Sequence, residues 1–234
     1  MRRVVRGFWG PRQESAAELA ARWSTTLDRF ARLLPELTGS WHTVPASGSG
    51  ETIRPDEPSL LAALRTAQAA DDWSAADGTS LRLLADTDAP GWKVELAALA
   101  GGTPQYLLQS LVATIVSPDD APGLPDAELL AAVAESWAPD HGDVGDRAVT
   151  SALKKEAGHR IGTPSVGWVG YLSAGRVART PSDALPERRQ LPTGGVLLTI
   201  AAPGDTASVV KAYQTLKASG ALEPLPQPMT RPAL

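Results

Sequence analysis

One stretch in the middle of the chain constrains the fold more than any other. Leu81, Leu83 and Ala85 recur at every second residue, and so do Trp92, Val94, Leu96 and Ala98, with Lys93 and Glu95 pointing the other way. Pro90-Gly91 lies between the two runs as a turn, so the segment predicts a hairpin with one solvated face. After Gly101-Gly102 and Pro104, an apolar run from Tyr106 to Val116 fits a third strand. The centre of the fold is therefore expected to be a three-strand antiparallel meander.

Helical periods flank this meander. Arg2 to Trp9 reads as a strand with a turn at Gly10-Pro11. Ser15 then opens a helix, with Glu18 in capping-box position. Leu19, Trp23, Leu27, Phe30 and Leu34 form its buried stripe, and Pro35 and Gly39 end it. Residues 40–57, with Trp41 and Gly48-Ser49-Gly50, read as an irregular connection before a helix from about Pro58 to Ala69. Beyond the loop from Ser117 to Pro125, one helix carries Leu129, Leu130, Val133 and Trp137, and a second carries Val149, Leu153 and Ile161. Val166 to Leu172 and Gly195 to Ala201 are strand candidates, and a last helix runs from about Asp205 to Ser219 with Gly220 as its cap. Strands and helices fall in clusters, which predicts an α+β fold with an antiparallel or mixed sheet and flanking helices. A single compact unit over residues 1–222 and an extended tail from Glu223 to Leu234, with four prolines, complete the expected organisation.

Charge and cysteine content narrow the chemistry. The net charge is −4 over 234 residues, the wrong sign for gripping a nucleic-acid backbone over a broad face. With no cysteine, neither a disulfide nor a thiolate site can form. The N-terminal segment lacks the apolar core of a secretory signal, and no segment approaches the ~18 apolar residues of a membrane span, so a cytoplasmic location is expected. Arginine outnumbers lysine 17 to 5, which reads as a coding bias with no mechanism attached.

Signatures of catalysis are sparse. Nucleophilic chemistry needs a base, most often histidine, and His42, His141 and His159 sit in no elbow motif and at no metal-ligand spacing. Gly167, Gly170 and Gly175 do not make a phosphate cradle. Asp140-His141-Gly142-Asp143, with Asp146 nearby, has oxygen and imidazole donors that suit a divalent ion in a hydrolase. Asp and Gly are equally what a turn between two helices requires. No cofactor is implied.

The charge pattern says more. From Pro118 to Asp146 there is no lysine or arginine, while eight acids occur: Asp119, Asp120, Asp126, Glu128, Glu135, Asp140, Asp143 and Asp146. Such a stretch forms either an acidic patch that attracts a basic protein or a solvated helix face with acids at its N-terminus. Of seven tryptophans, Trp23, Trp92 and Trp137 fall on apolar stripes. Trp9, Trp41, Trp73 and Trp168 lie at element ends or in a Gly-rich strand, where Trp41 and Trp73 in particular are candidates for interface anchors.

Three blocks carry a family resemblance. Gly7-Phe8-Trp9-Gly10-Pro11-Arg12-Gln13-Glu14-Ser15 runs into an Ala-rich helix, and Gly167-Trp168-Val169-Gly170-Tyr171-Leu172-Ser173 follows late in the chain. Leu191 to Thr199, with its paired glycine, then leads to a helix ending in Ser219-Gly220-Ala221-Leu222. In this order they resemble the immunity protein 52 family of bacterial polymorphic toxin systems, some delivered by type VI secretion; the middle third matches little. The resemblance implies a non-catalytic protein that neutralises a cognate toxin, usually a nuclease with a restriction-endonuclease-like domain, by covering its surface as a 1:1 or 2:2 complex. Trp9, Arg12, Trp168 and Tyr171 match the family's recurring residues, and a folding role is expected for them. Partner contact is expected from the acidic stretch and the exposed tryptophans. A secretion adaptor or scaffold is the remaining non-catalytic alternative.

Overall fold

The computed structural model describes residues 1–45, 49–121, 123–180 and 187–234; Gly48 of the predicted connection lies outside them. In chain order the elements are β1 (Arg2–Trp9), α1 (Ala16–Leu33), β2 (Leu37–Thr43), β3 (Thr52–Ile53), α2 (Glu57–Gln68), β4 (Thr79–Thr87), β5 (Lys93–Ala100), β6 (Gln109–Val116), α3 (Asp126–Trp137), β7 (His141–Gly145), α4 (Arg147–Ala157), β8 (Val169–Leu172), α5 (Ala174–Val177), β9 (Arg188–Gln190), β10 (Val196–Thr199) and α6 (Thr206–Ala218). The fold is α+β, and among the described residues one antiparallel sheet of ten strands runs through it in the order β3-β2-β4-β5-β6-β1-β7-β8-β10-β9.

The predicted meander is the β4-β5-β6 segment of this larger sheet. The N-terminal strand takes a central place, with β6 on one side and β7 on the other. Ser15 caps α1 with the reciprocal Glu18 bond of a capping box.

Several expectations are overturned. Residues 40–57 are not wholly irregular, since β2 and β3 lie there and Trp41 pairs with Ala85 of β4. From His141 to Gly145 the chain is a strand, β7, led into by Asp140, and not a turn between helices. Its turn-forming composition is overridden by pairing on both sides, to β1 and β8. Glycine is needed there for close approach: a Cβ on Gly142 would sit 2.5 Å from the Arg6 carbonyl oxygen. Tyr106 and Leu107 precede the third strand, which starts at Gln109. Ile161 lies beyond α4, which ends at Gly158 in the left-handed region, and is 79% exposed instead of inward.

Helices cover the two sheet faces unequally. On one face α3 crosses β1, where a Cβ on Gly7 would meet Val133 Cγ1 at 2.9 Å. Trp137 at the end of α3 stacks on Trp9 and meets Trp23 of α1 edge-on, at centroid distances of 5.5 and 5.7 Å. Its indole N–H donates to Thr26 Oγ1 at 2.8 Å, so this aromatic cluster buries no unpaired Trp137 donor. On the other face Gly145 lies against Val149 of α4, and α6 packs beside α4. All five residues of β7 are buried as a result.

Over β4, β5, β6 and β1 that second face stays open. Ser80, Leu99, Ser110 and Phe8 form one cross-strand row, Arg82, Ala97, Val112 and Arg6 the next, and Leu84, Glu95, Thr114 and Val4 a third. Each of these twelve side chains is half-buried or exposed. The segment from Glu223 to Leu234 has no helix or strand, yet it is laid against the body, with Leu225 and Met229 buried. Its backbone is tied down by Gly10 N donating to Pro232 O and Met229 N donating to Gln105 O, both at 2.8 Å.

Candidate functional site

The base-free stretch does not form an acidic patch, because tertiary contacts bring arginines to it from elsewhere. Asp126 faces Arg3 at 3.4 Å, Asp143 faces Arg6 at 2.8 Å, and Asp140 faces Arg176 at 2.5 Å. Glu135 pairs with Arg29, and Glu128 with Arg189 through both guanidinium arms. Asp146 caps α4 by accepting from Val149 N at 2.9 Å. Asp119, almost wholly exposed, pairs with the Met1 amino group, and Asp120 is exposed. Asp126, Asp140 and Asp143 are therefore buried structural acids, a correction to their expected role in gripping a partner. Arginine suits these pairings, because its weakly hydrated guanidinium tolerates burial beside a carboxylate better than an ammonium does.

Asp140 is the most heavily bonded of these acids. Oδ1 accepts from Leu234 N at 3.0 Å and Ser173 Oγ at 3.3 Å, and Oδ2 faces Arg176 Nη2 and His141 Nδ1. Burial alone would raise its pKa, but the hydrogen bonds and charges of His141 and Arg176 hold it down to about 2. His141 is pulled below the ordinary histidine range chiefly by burial, which favours the neutral ring. Burial also raises Asp126 above the usual carboxylate range, against the pull of Arg3 and the Trp168 indole.

The alternative metal set of Asp140, His141 and Asp143 meets the same geometry. Asp140 is engaged by Arg176, and Asp143 by Arg6 and by Ser165 Oγ at 2.8 Å. Among the described residues, no three His, Cys, Asp or Glu side chains stand where they could hold an ion.

A cleft of about 340 Å³ opens beside this buried centre. Phe8, Ser110 and His141 form part of its floor, with Phe8 stacked on His141 at 5.3 Å. Its walls are the segment Tyr106-Leu107-Leu108, the loop at Gly162 and Pro164, and Leu225 and Met229 of the C-terminal segment. Phe8 and Ser110 belong to the first row of the open sheet face, so the cleft runs out onto that face. Of its lining residues Tyr106 is 69% and Leu107 53% exposed, and Ile161, which precedes the lining residue Gly162 in the chain, is 79% exposed. These are three of the five large hydrophobic side chains most exposed among the described residues. Sequence pattern hid them, since Tyr106 and Leu107 read as strand and Ile161 as part of a helix stripe.

The tryptophans divide differently from expectation. Trp41 is buried against β4 and is no interface anchor. Trp73 is 38% exposed, with its indole N–H 3.4 Å from Thr79 Oγ1. Trp9 and Trp168 are buried, and the Trp168 indole donates to Asp126 at 2.8 Å. Arg12 lies over the Trp9 ring, pairs with Glu14 and donates to the Trp137 carbonyl at 2.8 Å. Tyr171 fills the space above the paired glycines, where a Cβ on Gly195 would come within 2.3 Å of its hydroxyl. β7 separates β1 from β8, so the two resembling blocks are not adjacent strands.

No protein-family model matches the chain, and no curated protein does. Among solved structures it is similar to the Pseudomonas aeruginosa T6SS protein PA0821, with a TM-score of 0.52 at 17% identity. The similarity covers 95% of this chain and 76% of that one, and it is a likeness of fold.

Proposed function

We propose that this chain is an immunity protein that binds a cognate bacterial toxin, a nuclease of restriction-endonuclease type, and neutralises it by occluding its surface. The observation that carries the reading is the pair of exposed apolar side chains Tyr106 and Leu107 lining a cleft that continues onto an open sheet face, with exposed Ile161 beside the lining residue Gly162 in the chain. Exposed apolar side chains grouped at a concave site mark protein-binding surfaces, and an anchor in such a pocket can dominate affinity. The fold likeness to a T6SS protein supports a place in type VI secretion, and on this reading the protein acts in the cytoplasm, where its nuclease target would be met. The family resemblance of the three sequence blocks points the same way. No helix among the described residues is long and apolar enough to cross a membrane.

Co-expression with the toxin domain encoded by the adjacent reading frame tests the reading. Growth should be rescued by the wild-type chain and lost again with Leu107→Asp. Toxin that cleaves nucleic acid equally well in excess immunity protein would overturn it.

A further inference from the structure

The helix pair whose following loop lines the cleft is basic, in a chain whose net charge is −4. Four of the five lysines, Lys154, Lys155, Lys211 and Lys217, lie exposed on the packed pair α4 and α6, together with Arg147. The acids of this pair are few: Asp146 and Asp205 cap the two helices, which leaves Glu156. Lys217 Nζ reaches the Ala157 carbonyl at the end of α4 and sits over the Tyr213 ring.

The same basic side leads directly into the cleft wall. From Gly158 the chain passes through His159, Arg160 and Ile161 to Gly162 and Pro164, which line the cleft. Thr163 Oγ1 ties this loop together, bonding the Arg160 carbonyl at 2.7 Å and the His159 ring at 3.3 Å. Lys154, Lys217 and Arg6 are all close enough to act on His159, whose pKa is lowered first by burial, with Asp143 opposing. Basic and apolar features thus share one continuous edge.

We propose that the surface seated here belongs to a protein partner that presents carboxylates around an apolar anchor. The anchor enters the cleft between Tyr106, Leu107 and Phe8, and the carboxylates meet Lys154, Arg160 and Lys217. Complementary charge of this kind raises the association rate and fixes orientation, while the anchor sets the dissociation rate. A protein fits better than a nucleic acid because the mouth is apolar and the whole chain is acidic. The proposal rests on the binding function above and names the chemistry of its partner. It reverses the expectation that an acidic face grips a basic toxin.

Two arms test it. In the first, stopped-flow association is measured with the catalytically inactivated toxin domain from the adjacent reading frame, at low and at physiological salt. Lys154→Glu combined with Arg160→Glu should slow association about tenfold at low salt, with far less effect at physiological salt. Asp119→Lys combined with Asp120→Lys should leave the rate within about twofold. If the acidic pair governs the rate and the basic pair does not, the proposal is overturned while the immunity reading stands.

If that domain does not bind the wild-type chain, the immunity reading fails, and the second arm decides the proposal alone. A fluorescent Asp/Glu-rich peptide with a central Leu-Phe pair should bind, and both Lys154→Glu/Arg160→Glu and Leu107→Asp should abolish binding. Failure of that peptide to bind, or preferential binding of a short DNA duplex at physiological salt, would overturn the proposal.

Discussion

Arg176 Nη2 donates to Asp140 Oδ2 at 2.5 Å, and neither side chain reaches solvent. The pair joins α5 to the residue that leads into β7, and Arg176 Nη1 extends the link to the Ala221 carbonyl at 2.6 Å. Ser173 and Leu234 complete the shell around Asp140, so the central strand, α5 and the C-terminal segment meet at one carboxylate.

Breaking one half of this pair leaves the other buried and unpaired. Arg176→Met and Asp140→Asn are each expected to cost about 3–5 kcal/mol in urea unfolding. A double Asp140→Leu/Arg176→Met variant should recover part of that loss, because it buries no orphaned charge.

Acid sensitivity follows from the same carboxylate. Its folded pKa of about 2 lies below the ordinary aspartate value of 3.8, so the folded state holds the ionised form more tightly. That stability is fully present above the unfolded value and is lost as pH falls through the folded one, a contribution of about 2 kcal/mol. Asp126 acts in the opposite sense, since its raised pKa favours proton uptake by the folded state. Unfolding free energy should therefore drop between pH ~4 and ~2 in the wild type, and the drop should shrink in Asp140→Asn. An identical acid profile in both proteins would assign the sensitivity to other groups.

At the mouth of the cleft the opposite balance is expected. Tyr106→Ala and Leu107→Ala remove exposed side chains, so stability should stay within about 0.5 kcal/mol. Toxin binding should weaken by at least about 1 kcal/mol for each, read by calorimetry.

The aromatic cluster under α3 gives a purely structural control. Trp137→Ala removes the ring between Trp9 and Trp23 and should destabilise by about 3–5 kcal/mol. Trp137→Phe keeps much of the volume and loses the bond to Thr26; it is expected to cost less, with toxin affinity per folded molecule unchanged in thermal-shift and binding assays.

Charge reversal separates buried acids from exposed ones. Asp143→Lys places a cation beside Arg6 in a buried strand and should prevent folding, seen as loss of cooperative unfolding. Asp120→Lys, on an exposed loop residue, should fold normally.

Local pattern determined much of this fold by itself. Alternation marked the β4-β5-β6 meander, helical spacing marked α1, and Ser15 with Glu18 marked its start, because each depends only on near neighbours in the chain. The composition of β7 pointed instead to a turn; only pairing with β1 and β8, and bonds from Asp143 to Arg6 and Ser165, make it a central strand. The same holds for charge. A run of eight acids without a base is visible in the sequence, but the arginines that neutralise five of them lie at least 36 residues away along the chain. The exposed apolar side chains were hidden for the converse reason: Tyr106, Leu107 and Ile161 have core-type side chains, and only the place where a strand begins and a helix ends leaves them in water. Periodicity fixes which residues share a face of an element; the tertiary structure decides which faces are covered.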